Sequence, residues 1–252
     1  KIYRADSIKI PNNMKELSII LPAYNEESCI ETNLRQLKET LDTFDIDYEI
    51  IIVDDGSTDG TLSKVGNCES ADIKALSYGR NRGKGYAIHH GMLNSNGKYK
   101  LFMDVDLSTS LDALGKFLEL IRSGQHDVLI GDRKSKSSRL EIKQPFYRIF
   151  FGRGFTLLAS LLIGRDINDF TCGFKMYTKE ASDIIFKRQR IFNWAFDAEL
   201  IYIAVAHDLR VHEIPVTWRH HGDSKVRLFR DITHSLHSLM AMRINALRGF
   251  YK

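Results

Sequence analysis

Apolar residues in the first half of the chain follow two alternating patterns, one typical of buried strands and the other of amphipathic helices. Short apolar runs predict strands over five ranges: 17–21, 48–53, 73–77, 99–103 and 127–130. Between them, apolar residues three and four positions apart predict helices over 27–43, 86–93 and 112–121. This alternation predicts an α/β fold, a mostly parallel sheet with helices on both faces.

Polar clusters follow directly after three of the predicted strands, at residues 22–26, 54–59 and 104–108. Ligands of parallel sheets bind beyond the carboxyl ends of the strands, because those ends meet at one edge of the sheet. We therefore expect the three clusters to come together and form a ligand site.

Two segments of the second half combine apolar and basic residues. Residues 155–163 are mostly apolar and are flanked by Arg153 and Arg165, but nine residues are too few to span a bilayer, which needs about 20. In residues 226–250, apolar positions recur at helical spacing with basic residues between them, which predicts one basic amphipathic helix or two short ones. Either these helices lie at a membrane surface, or both segments pack on the sheet as ordinary amphipathic helices.

The charge distribution favours the membrane interpretation. The chain carries +4 overall, yet residues 133–153 hold seven Lys or Arg and one acid, and residues 225–252 hold six and one. These two stretches together carry +11 and the rest carries −7, so the positive charge coincides with the apolar segments and favours anionic lipid. Because the basic residues are interleaved with aliphatic rather than aromatic side chains, we expect no nucleic-acid partner.

The cysteines Cys29, Cys68 and Cys172 are widely spaced and form no CxxC pair. They predict neither a disulfide framework nor a zinc site, and they favour a reducing compartment. With 43% hydrophobic and 27% charged residues, the composition is that of a folded protein, and 252 residues suffice for one large α/β domain or two small ones.

The sharpest chemical signal is Asp104-Val105-Asp106, directly after the predicted strand 99–103. Two carboxylates one residue apart at a strand end can share a hard divalent cation, Mg²⁺ or Mn²⁺, with a diphosphate. That cation neutralises charge on a departing nucleoside diphosphate. Acids that merely cap a loop are the alternative for an isolated DxD, but a second acidic cluster after an earlier strand favours the metal site.

The second acidic cluster, 54–60, begins with the adjacent acids Asp54 and Asp55. Some of its residues form an Asx-rich turn and a helix N-cap, while the acidic pair suits the hydrogen-bond donors of a nucleoside's base and ribose. The nearby turn 81–85 contains Lys84 and matches neither the P-loop pattern nor GxGxxG. It is either a flexible basic turn near a diphosphate or a plain surface turn.

Taken in order, the segments 21–26, 53–59, 81–85 and 104–106 resemble the signature of family 2 glycosyltransferases with the GT-A fold. Later segments resemble the polyprenyl-phosphate branch of this family, and most of all its dolichyl-phosphate β-glucosyltransferases: 131–133, 169–175, 194–200 and 222–225. The resemblance covers residues 17–250. It implies a GT-A catalytic domain over 1–225, which includes an amphipathic segment at 145–164, and a basic amphipathic helical tail over 226–252.

The resemblance also implies roles for individual residues. Those that would bind the nucleotide-sugar donor are Pro22, Tyr24, Glu26, Asp54, Asp55, Lys84, Asp104, Asp169, Glu199, Arg219 and Lys225. The first five would lie at the nucleoside, Arg219 and Lys225 at the phosphates, and Asp169 and Glu199, with Asp197, around the sugar. Those that would act in catalysis are Asp104, Asp106, Arg133 and Asp197, with Asp104 and Asp106 binding the metal. Arg133 and Arg139 would meet the acceptor phosphate.

Members of the family that make dolichyl-phosphate mannose often carry a glutamine two residues after the DxD motif. Ser108 occupies that position here, which disfavours a mannosyl donor and leaves part of the metal's coordination to other groups. The resemblance therefore favours UDP-glucose or a related UDP-sugar as the donor.

The implied reaction is an inverting single displacement, in which an oxygen of a dolichyl or polyprenyl phosphate attacks the anomeric carbon of the donor sugar. The protein would associate peripherally with the cytoplasmic face of a membrane. Because a phosphate monoester is already anionic at neutral pH, a strong general base is less necessary, and we expect Asp197 to orient the sugar.

Two alternatives stay open. A protein of the same fold could act on a saccharide or protein hydroxyl, with Asp197 or Glu199 as the catalytic base. A non-catalytic nucleotide-sugar-binding protein at a membrane surface is the other alternative, and the intact acids Asp104 and Asp106 argue against it. The sequence predicts no oligomeric state.

Overall fold

The computed structural model describes residues 14–135, 137–140, 146–193, 195–219 and 228–252. The strands are β1 (Leu17–Ala23), β2 (Tyr48–Asp54), β3 (Ile73–Ser77), β4 (Tyr99–Met103), β5 (Val128–Asp132), β6 (Arg139–Leu140), β7 (Phe174–Thr178), β8 (Val211–Pro215) and β9 (Thr217–Trp218). The helices are α1 (Ile30–Leu41), α2 (Thr61–Cys68), α3 (Lys84–Leu93), α4 (Ala113–Arg122), α5 (Phe146–Ile163), α6 (Lys179–Arg188), α7 (Phe196–Ala206) and α8 (Leu228–Leu247).

The main sheet has the strand order β3-β2-β1-β4-β7-β5-β8. Its strands are parallel except β7, which runs antiparallel to both of its neighbours, and β6 and β9 form a separate parallel pair. An apolar cluster covers each face of the sheet, one including Leu34 and Phe117 and the other including Ile185 and Leu200. The predicted α/β fold, with a mostly parallel sheet and helices on both faces, is confirmed.

All five predicted strands and all three predicted helices are present, and their ends differ from the prediction by at most three residues. β1 continues through Pro22, because its pairing with β4 has ended at Ile20 and a proline without an N–H is tolerated there. α1 begins three residues later than predicted, because the chain first forms a loop that is hydrogen-bonded to residues 57–61.

Helices α5 and α8 lie against each other and are apolar on two sides. Their inward side chains Ala159, Leu239 and Met242 are buried in the cluster that also includes α7. Their outward side chains stay exposed, together with one just beyond α8: Leu157, Leu158, Leu161, Met240, Ile244, Leu247 and Phe250. Packing on the body and an apolar outer surface therefore coexist, although the sequence offered packing and membrane contact as alternatives.

Among the helices that the structure describes, none is both long enough and apolar enough to cross a bilayer. The boundary that separates a catalytic domain at 1–225 from a tail at 226–252 stays a prediction.

Candidate active site

The DxD motif lies at the carboxyl end of β4, at the same edge of the sheet as the ends of β1 and β2. The amide of Asp104 donates to the carbonyl of Gly173 at 3.1 Å, and a Cβ added at Gly173 would collide with the carboxylate of Asp104. Leu107 has a φ of +53°, and the amide of Ser108 donates to Oδ1 of Asp106 at 2.9 Å. A close glycine thus makes room for the first acid, and a tight turn holds the second.

Lys84, the first residue of α3, donates to Oδ1 of Asp104. A Cβ added at the next residue, Gly85, would lie 2.6 Å from the carbonyl oxygen of Phe192, so this turn packs closely on another loop. Burial opposes the charged form, but the carboxylates of Asp104 and Asp197 raise the pKa of Lys84. The turn 81–85 therefore presents a cation to the DxD motif.

The two DxD acids have the chemistry of a site for a hard divalent cation. Carboxylate oxygens are the ligands that Mg²⁺ and Mn²⁺ prefer, and the side chain of Asp104 is 31% exposed. Within the described part of the chain, no group of three or more His, Cys, Asp or Glu is placed to hold a metal ion. Two carboxylates fit a cation that completes its coordination with phosphate oxygens and water.

The acids at the end of β2 are buried and have partners within the protein. Asp55 accepts hydrogen bonds from the hydroxyl of Tyr78 and from the amides of Arg82 and Gly83, at 2.7, 2.7 and 2.8 Å. Asp54 accepts from an amide at 3.1 Å and from a serine hydroxyl at 3.0 Å. Asp55 thus ties the turn 81–85 to β2, and a contact of either acid with a nucleoside stays a prediction.

The loop after β1 is bonded to the turn after β2. The side-chain oxygen of Asn25 accepts from the amide of Thr58 at 2.8 Å, and the amide of Asn25 donates to Oγ of Ser57 at 3.0 Å. Asn25 has a φ of +53°, a conformation that asparagine adopts more readily than most residues. Half-buried neighbours are Pro22, near the end of β1, and Tyr24 and Glu26 in the loop. The structure therefore brings the first two predicted clusters together.

Arg133 follows β5 directly and forms a bidentate ion pair with Asp169, with Nε–Oδ2 at 2.7 Å and Nη2–Oδ1 at 2.8 Å. Asp169 is fully buried. Burial alone would raise the pKa of Asp169, but the guanidinium of Arg133 lowers it to about 2. The charge of Arg133 also interacts with that of Asp104, and its guanidinium lies 5.5 Å from the ring of Trp218. Arg133, which the sequence assigns to the acceptor phosphate, is thus paired beside the DxD motif with Asp169, which the sequence assigns to the sugar.

Asp197, in the first turn of α7, pairs with Lys175 of β7 at 2.5 Å. The Lys175 side chain is inaccessible to solvent and also donates to the carbonyl of Cys172 at 2.7 Å. Burial raises the pKa of Asp197, whereas the ammonium of Lys175 opposes that shift. The charge of Asp197 interacts with those of Lys84 and Asp104, so this acid lies near the DxD motif in a fixed orientation.

Glu199 is fully buried and has a different set of partners. The hydroxyl of Tyr251 donates to its Oε1, and the amides of Arg190 and Ile191 donate to its Oε2 at 3.0 and 2.7 Å. Burial raises the pKa of Glu199 to about 7. These partners all belong to the loop before α7 and to the end of the chain, so they give no support to the predicted place of Glu199 in a sugar pocket.

A polar cavity of about 210 Å³ opens beside Asp106. It is lined by residues of α1, of the loop after β4 and of the end of β9: Asn33, Gln36, Asp106, Leu107, Ser108, Ser110, Leu111, Thr217 and Arg219. The amide of Arg219 donates to the carbonyl of Ser108 at 2.8 Å, so a predicted phosphate-binding residue lies next to the DxD loop. Two further predicted phosphate contacts, Lys225 and the side chain of Arg139, fall outside what the structure describes.

Three side chains or positions at the site were not singled out by the sequence analysis: Gly173, Lys175 and Tyr251. A lysine within the otherwise apolar run 174–178 is a signal of a buried ion pair, since an unpaired charge is too costly inside a protein. Tyr251 gives no comparable signal, because it lies 52 residues from its partner Glu199.

The sequence profile of Glycosyl transferase family 2 matches residues 18–186. That span contains the strand-end clusters, the DxD motif and the ion pair between Arg133 and Asp169. The chain therefore belongs to glycosyl transferase family 2, and the resemblance of its motifs to that family is confirmed.

Within the family, the chain is similar to proteins named dolichyl-phosphate beta-glucosyltransferase. It is 32% identical to that of Dictyostelium discoideum over 249 residues, which cover 94% of this chain and 76% of the relative. It is 34% identical to that of Drosophila melanogaster over 228 residues, which cover 85% and 70%. The predicted branch of the family is thereby confirmed.

A solved structure supports the fold independently. Glucosyl-3-phosphoglycerate synthase from Mycobacterium tuberculosis, in complex with Mn²⁺, UDP-glucose and phosphoglyceric acid, matches with a TM-score of 0.68. The match covers 90% of this chain and 79% of that chain at 16% sequence identity. At this identity the likeness shows the fold alone, and the predicted GT-A fold is confirmed.

Proposed function

We propose that the protein transfers glucose from UDP-glucose to a dolichyl or polyprenyl phosphate, with inversion at the anomeric carbon and with Mg²⁺ or Mn²⁺ at the DxD acids. The names of the relatives support the sugar and the acceptor. The UDP-glucose and Mn²⁺ bound to the structural neighbour support the donor and the cation. The observation that carries the proposal is the position of Asp104 at the end of β4, where its carboxylate accepts a hydrogen bond from Lys84.

The donor side of the reaction is assigned to the strand ends. Asp104 and Asp106 would hold the cation, and Lys84 would place a further positive charge at the donor phosphates. A bound cation would neutralise the charge that develops on the leaving nucleoside diphosphate. The protein's part is to fix these charges before the reaction, so that little reorganisation is needed when the bond breaks.

The acceptor side is assigned to Arg133. Its guanidinium is held by two hydrogen bonds to the buried carboxylate of Asp169, so its orientation is set without a ligand. A fixed arginine can bring the acceptor phosphate close to the sugar against the repulsion between two anions. Asp197 would orient the sugar, because its pairing with Lys175 fixes it near the DxD motif.

A membrane partner follows from the lipid acceptor and from the outer surface of α5 and α8. The exposed leucines and other apolar side chains of these two helices form what we term the apolar face: Leu157, Leu158, Leu161, Met240, Ile244, Leu247 and Phe250. Exposed Arg243 and Arg248 accompany it on and just after α8, which suits an anionic lipid surface. We propose peripheral association at the cytoplasmic face of a membrane, a reducing setting that agrees with cysteines that form no disulfide among the described residues.

A hydroxyl acceptor would require a catalytic base, and the two predicted candidates are poorly suited to that task. Asp197 is bound to a buried ammonium, and Glu199 accepts three hydrogen bonds from within the protein. A phosphate acceptor needs no such base. The geometry therefore favours the lipid phosphate over a saccharide or protein hydroxyl.

A donor panel tests the proposal. The protein is incubated with a short polyprenyl phosphate, Mg²⁺ or Mn²⁺, and in turn UDP-glucose, UDP-N-acetylglucosamine and GDP-mannose, and products are identified by mass spectrometry. We expect glucosyl phosphoprenol from UDP-glucose, and no product after chelation of the metal. Sugar transfer to a hydroxyl acceptor in reactions without prenyl phosphate would contradict the proposed acceptor, and preference for another sugar would contradict the proposed donor.

A further inference from the structure

The loop 189–193, between α6 and α7, packs directly on the turn that carries Lys84. The carbonyl of Phe192 lies so close to Gly85 that a Cβ there would be 2.6 Å from the oxygen. The ring of Phe192 lies 5.4 Å from that of Tyr86 and 5.1 Å from that of His89, both in the first two turns of α3. This loop therefore packs directly against the N-terminal end of α3, which Asp55 also holds from β2.

The carboxylate of Glu199 is hydrogen-bonded to the backbone of this loop. Its Oε2 accepts hydrogen bonds from the amides of Arg190 and Ile191, two consecutive donors of the loop backbone. Its Oε1 accepts from the hydroxyl of Tyr251, a side chain that is only 4% exposed. One buried carboxylate thus connects the end of the chain to the loop.

Further contacts join residues 251–252 to the ends of α6 and α7, and join the loop to α8. The carbonyl of Tyr251 lies 2.7 Å from Nε2 of His207, and Nε of Arg188 donates to the carbonyl of Lys252 at 3.2 Å. The side chain of Asn193 is hydrogen-bonded to the hydroxyl of Ser238 on α8 at 2.7 Å. The helix that carries part of the apolar face therefore also touches the loop.

We propose that Tyr251 and Glu199 are positioning residues of the active site, which hold the loop 189–193 against the start of α3 and thereby keep Lys84 beside Asp104. Neither residue contacts a substrate in this account. The inference rests on the proposed function only for the part that Lys84 plays in transfer. It assigns Glu199 a role different from the sugar contact that the sequence predicted, and it gives Tyr251 a role at the donor side of the proposed site.

Amide hydrogen exchange of the full chain without ligands tests the physical part of this proposal. Tyr251→Phe removes the hydroxyl that pairs with Glu199, and we expect exchange to accelerate roughly tenfold at Arg190 and Ile191, the factor that corresponds to one lost hydrogen bond of about 1.4 kcal/mol. The acceleration should extend to the amides of Arg82 and Gly83, which are bonded to Asp55.

Tyr202→Phe is the matched control, because its ring lies 5.5 Å from that of Tyr251 while the three donors to Glu199 remain in place. In Tyr202→Phe we expect the amides of the loop 189–193 and of the start of α3 to exchange at the rates of the unmodified protein. Equal acceleration of all amides in Tyr251→Phe would indicate general destabilisation and overturn the proposal. Acceleration confined to residues 189–193, with native exchange at 82–87, would overturn it as well.

Kinetics provide the second readout. Tyr251→Phe and Glu199→Ala should lower kcat/KM for the nucleotide sugar by roughly tenfold, as expected when a charged group is displaced, and leave KM for the lipid phosphate unchanged. Glu199→Gln should restore what Glu199→Ala loses, because a glutamine can accept from both loop amides and donate to Tyr251. Loss of donor affinity in Glu199→Gln with native exchange would instead place Glu199 at the sugar and overturn the proposal.

The two readouts also separate this inference from the proposed function. If the unmodified chain transfers no glucose to lipid phosphate, the proposed function fails, while the exchange pattern still decides whether Tyr251 and Glu199 position the start of α3.

Discussion

The two DxD acids and the acids of the second half of the chain lie in different surroundings. Asp104 and Asp106 follow a strand end and are partly exposed to solvent. Asp169, Asp197 and Glu199 are buried, and each is bonded to a guanidinium, an ammonium or backbone amides. The difference indicates a division of tasks, in which the two DxD acids are available to a ligand and the buried acids fix the groups around it.

This contrast has an energetic basis. A buried charge is tolerated when it is paired, and removal of one partner leaves an uncompensated charge in the interior. A partly exposed acid stays hydrated, so its loss has little effect on the fold. Substitutions of Asp104 or Asp106 should therefore affect activity more than stability. Substitutions of Asp169, Asp197 or Glu199 should affect stability more than activity.

The largest effect is expected from the strand-end acids. Asp104→Asn and Asp106→Asn should each lower kcat for glucosyl transfer by roughly 10²–10³, because the charge that stabilises the leaving group can no longer be held in place. The melting temperature should stay close to that of the unmodified protein. The control is Asp112→Asn, an exposed acid just before α4. Native kcat in either DxD variant would contradict the assignment.

The next effect concerns the ion pair between Arg133 and Asp169. Asp169→Asn should lower the free energy of unfolding by about 3 kcal/mol in denaturant titrations, because it leaves the guanidinium without its buried partner. Asp127→Asn is the control, since its pair with Arg210 is partly exposed and should contribute less than about 1 kcal/mol. Equal losses in the two variants would remove the contrast between buried and exposed acids.

The same pair has a defined pH dependence. The pKa of Asp169 is lowered from 3.8 to about 2, so its contribution to stability is present above 3.8 and is lost as the pH falls through about 2. Unfolding free energies measured between pH 2 and pH 5 should therefore fall less steeply in Asp169→Asn than in the unmodified protein.

Glu199 should show the opposite pH dependence. Its pKa is raised from 4.5 to about 7, so the contribution is present below 4.5 and is lost as the pH rises through 7. Between pH 5 and pH 8, Glu199→Gln should remove a decrease of about 2 kcal/mol from the stability curve. Parallel curves for the two proteins would show that Glu199 is not buried as a neutral or nearly neutral acid.

The smallest effect is expected from an exposed apolar side chain. The contrast between exposed and buried residues also applies to the leucines of α8. Leu247 on α8 is 85% exposed and Leu239 is 2% exposed. Leu247→Ala should weaken binding to anionic vesicles by roughly fivefold in flotation assays, since about 1 kcal/mol of apolar burial is lost, with an unchanged melting temperature. Leu62→Ala on α2 is a control of similar chemistry, 43% exposed. Equal flotation of both variants would exclude the apolar face as the membrane contact.

Sequence patterns predicted the first half of the fold well because its strands and helices have distinct periods. The strands β1, β2 and β4 are buried along almost their whole length, and α1 and α4 have clear apolar stripes. Apart from the helical spacing that predicted α8, the second half had weaker signals. α7 is apolar on nearly all sides, so it has no stripe, and β7 is a five-residue strand that carries a buried lysine.

The residues of the candidate site were likewise predicted well in the first half of the chain and less well in the second half. The DxD acids and the two clusters before them were predicted from their positions after strands, and the structure brings them to one edge of the sheet. Sequence could not show that Asp169 is the partner of Arg133 or that Glu199 is bonded to Tyr251, because these contacts join residues 36 and 52 positions apart. Burial separates ligand-facing acids from supporting ones, and burial depends on the tertiary structure.

A crystal structure of the protein with UDP-glucose and Mn²⁺ tests the central claim most directly, because the anomalous signal of manganese locates the ion without assumptions. We expect a single strong peak bonded to carboxylate oxygens of Asp104 and Asp106 at about 2.0–2.3 Å, next to the diphosphate, with the guanidinium of Arg133 on the side of the sugar. A peak elsewhere, or a nucleotide bound away from Asp104 while that acid stays paired with Lys84, would contradict it.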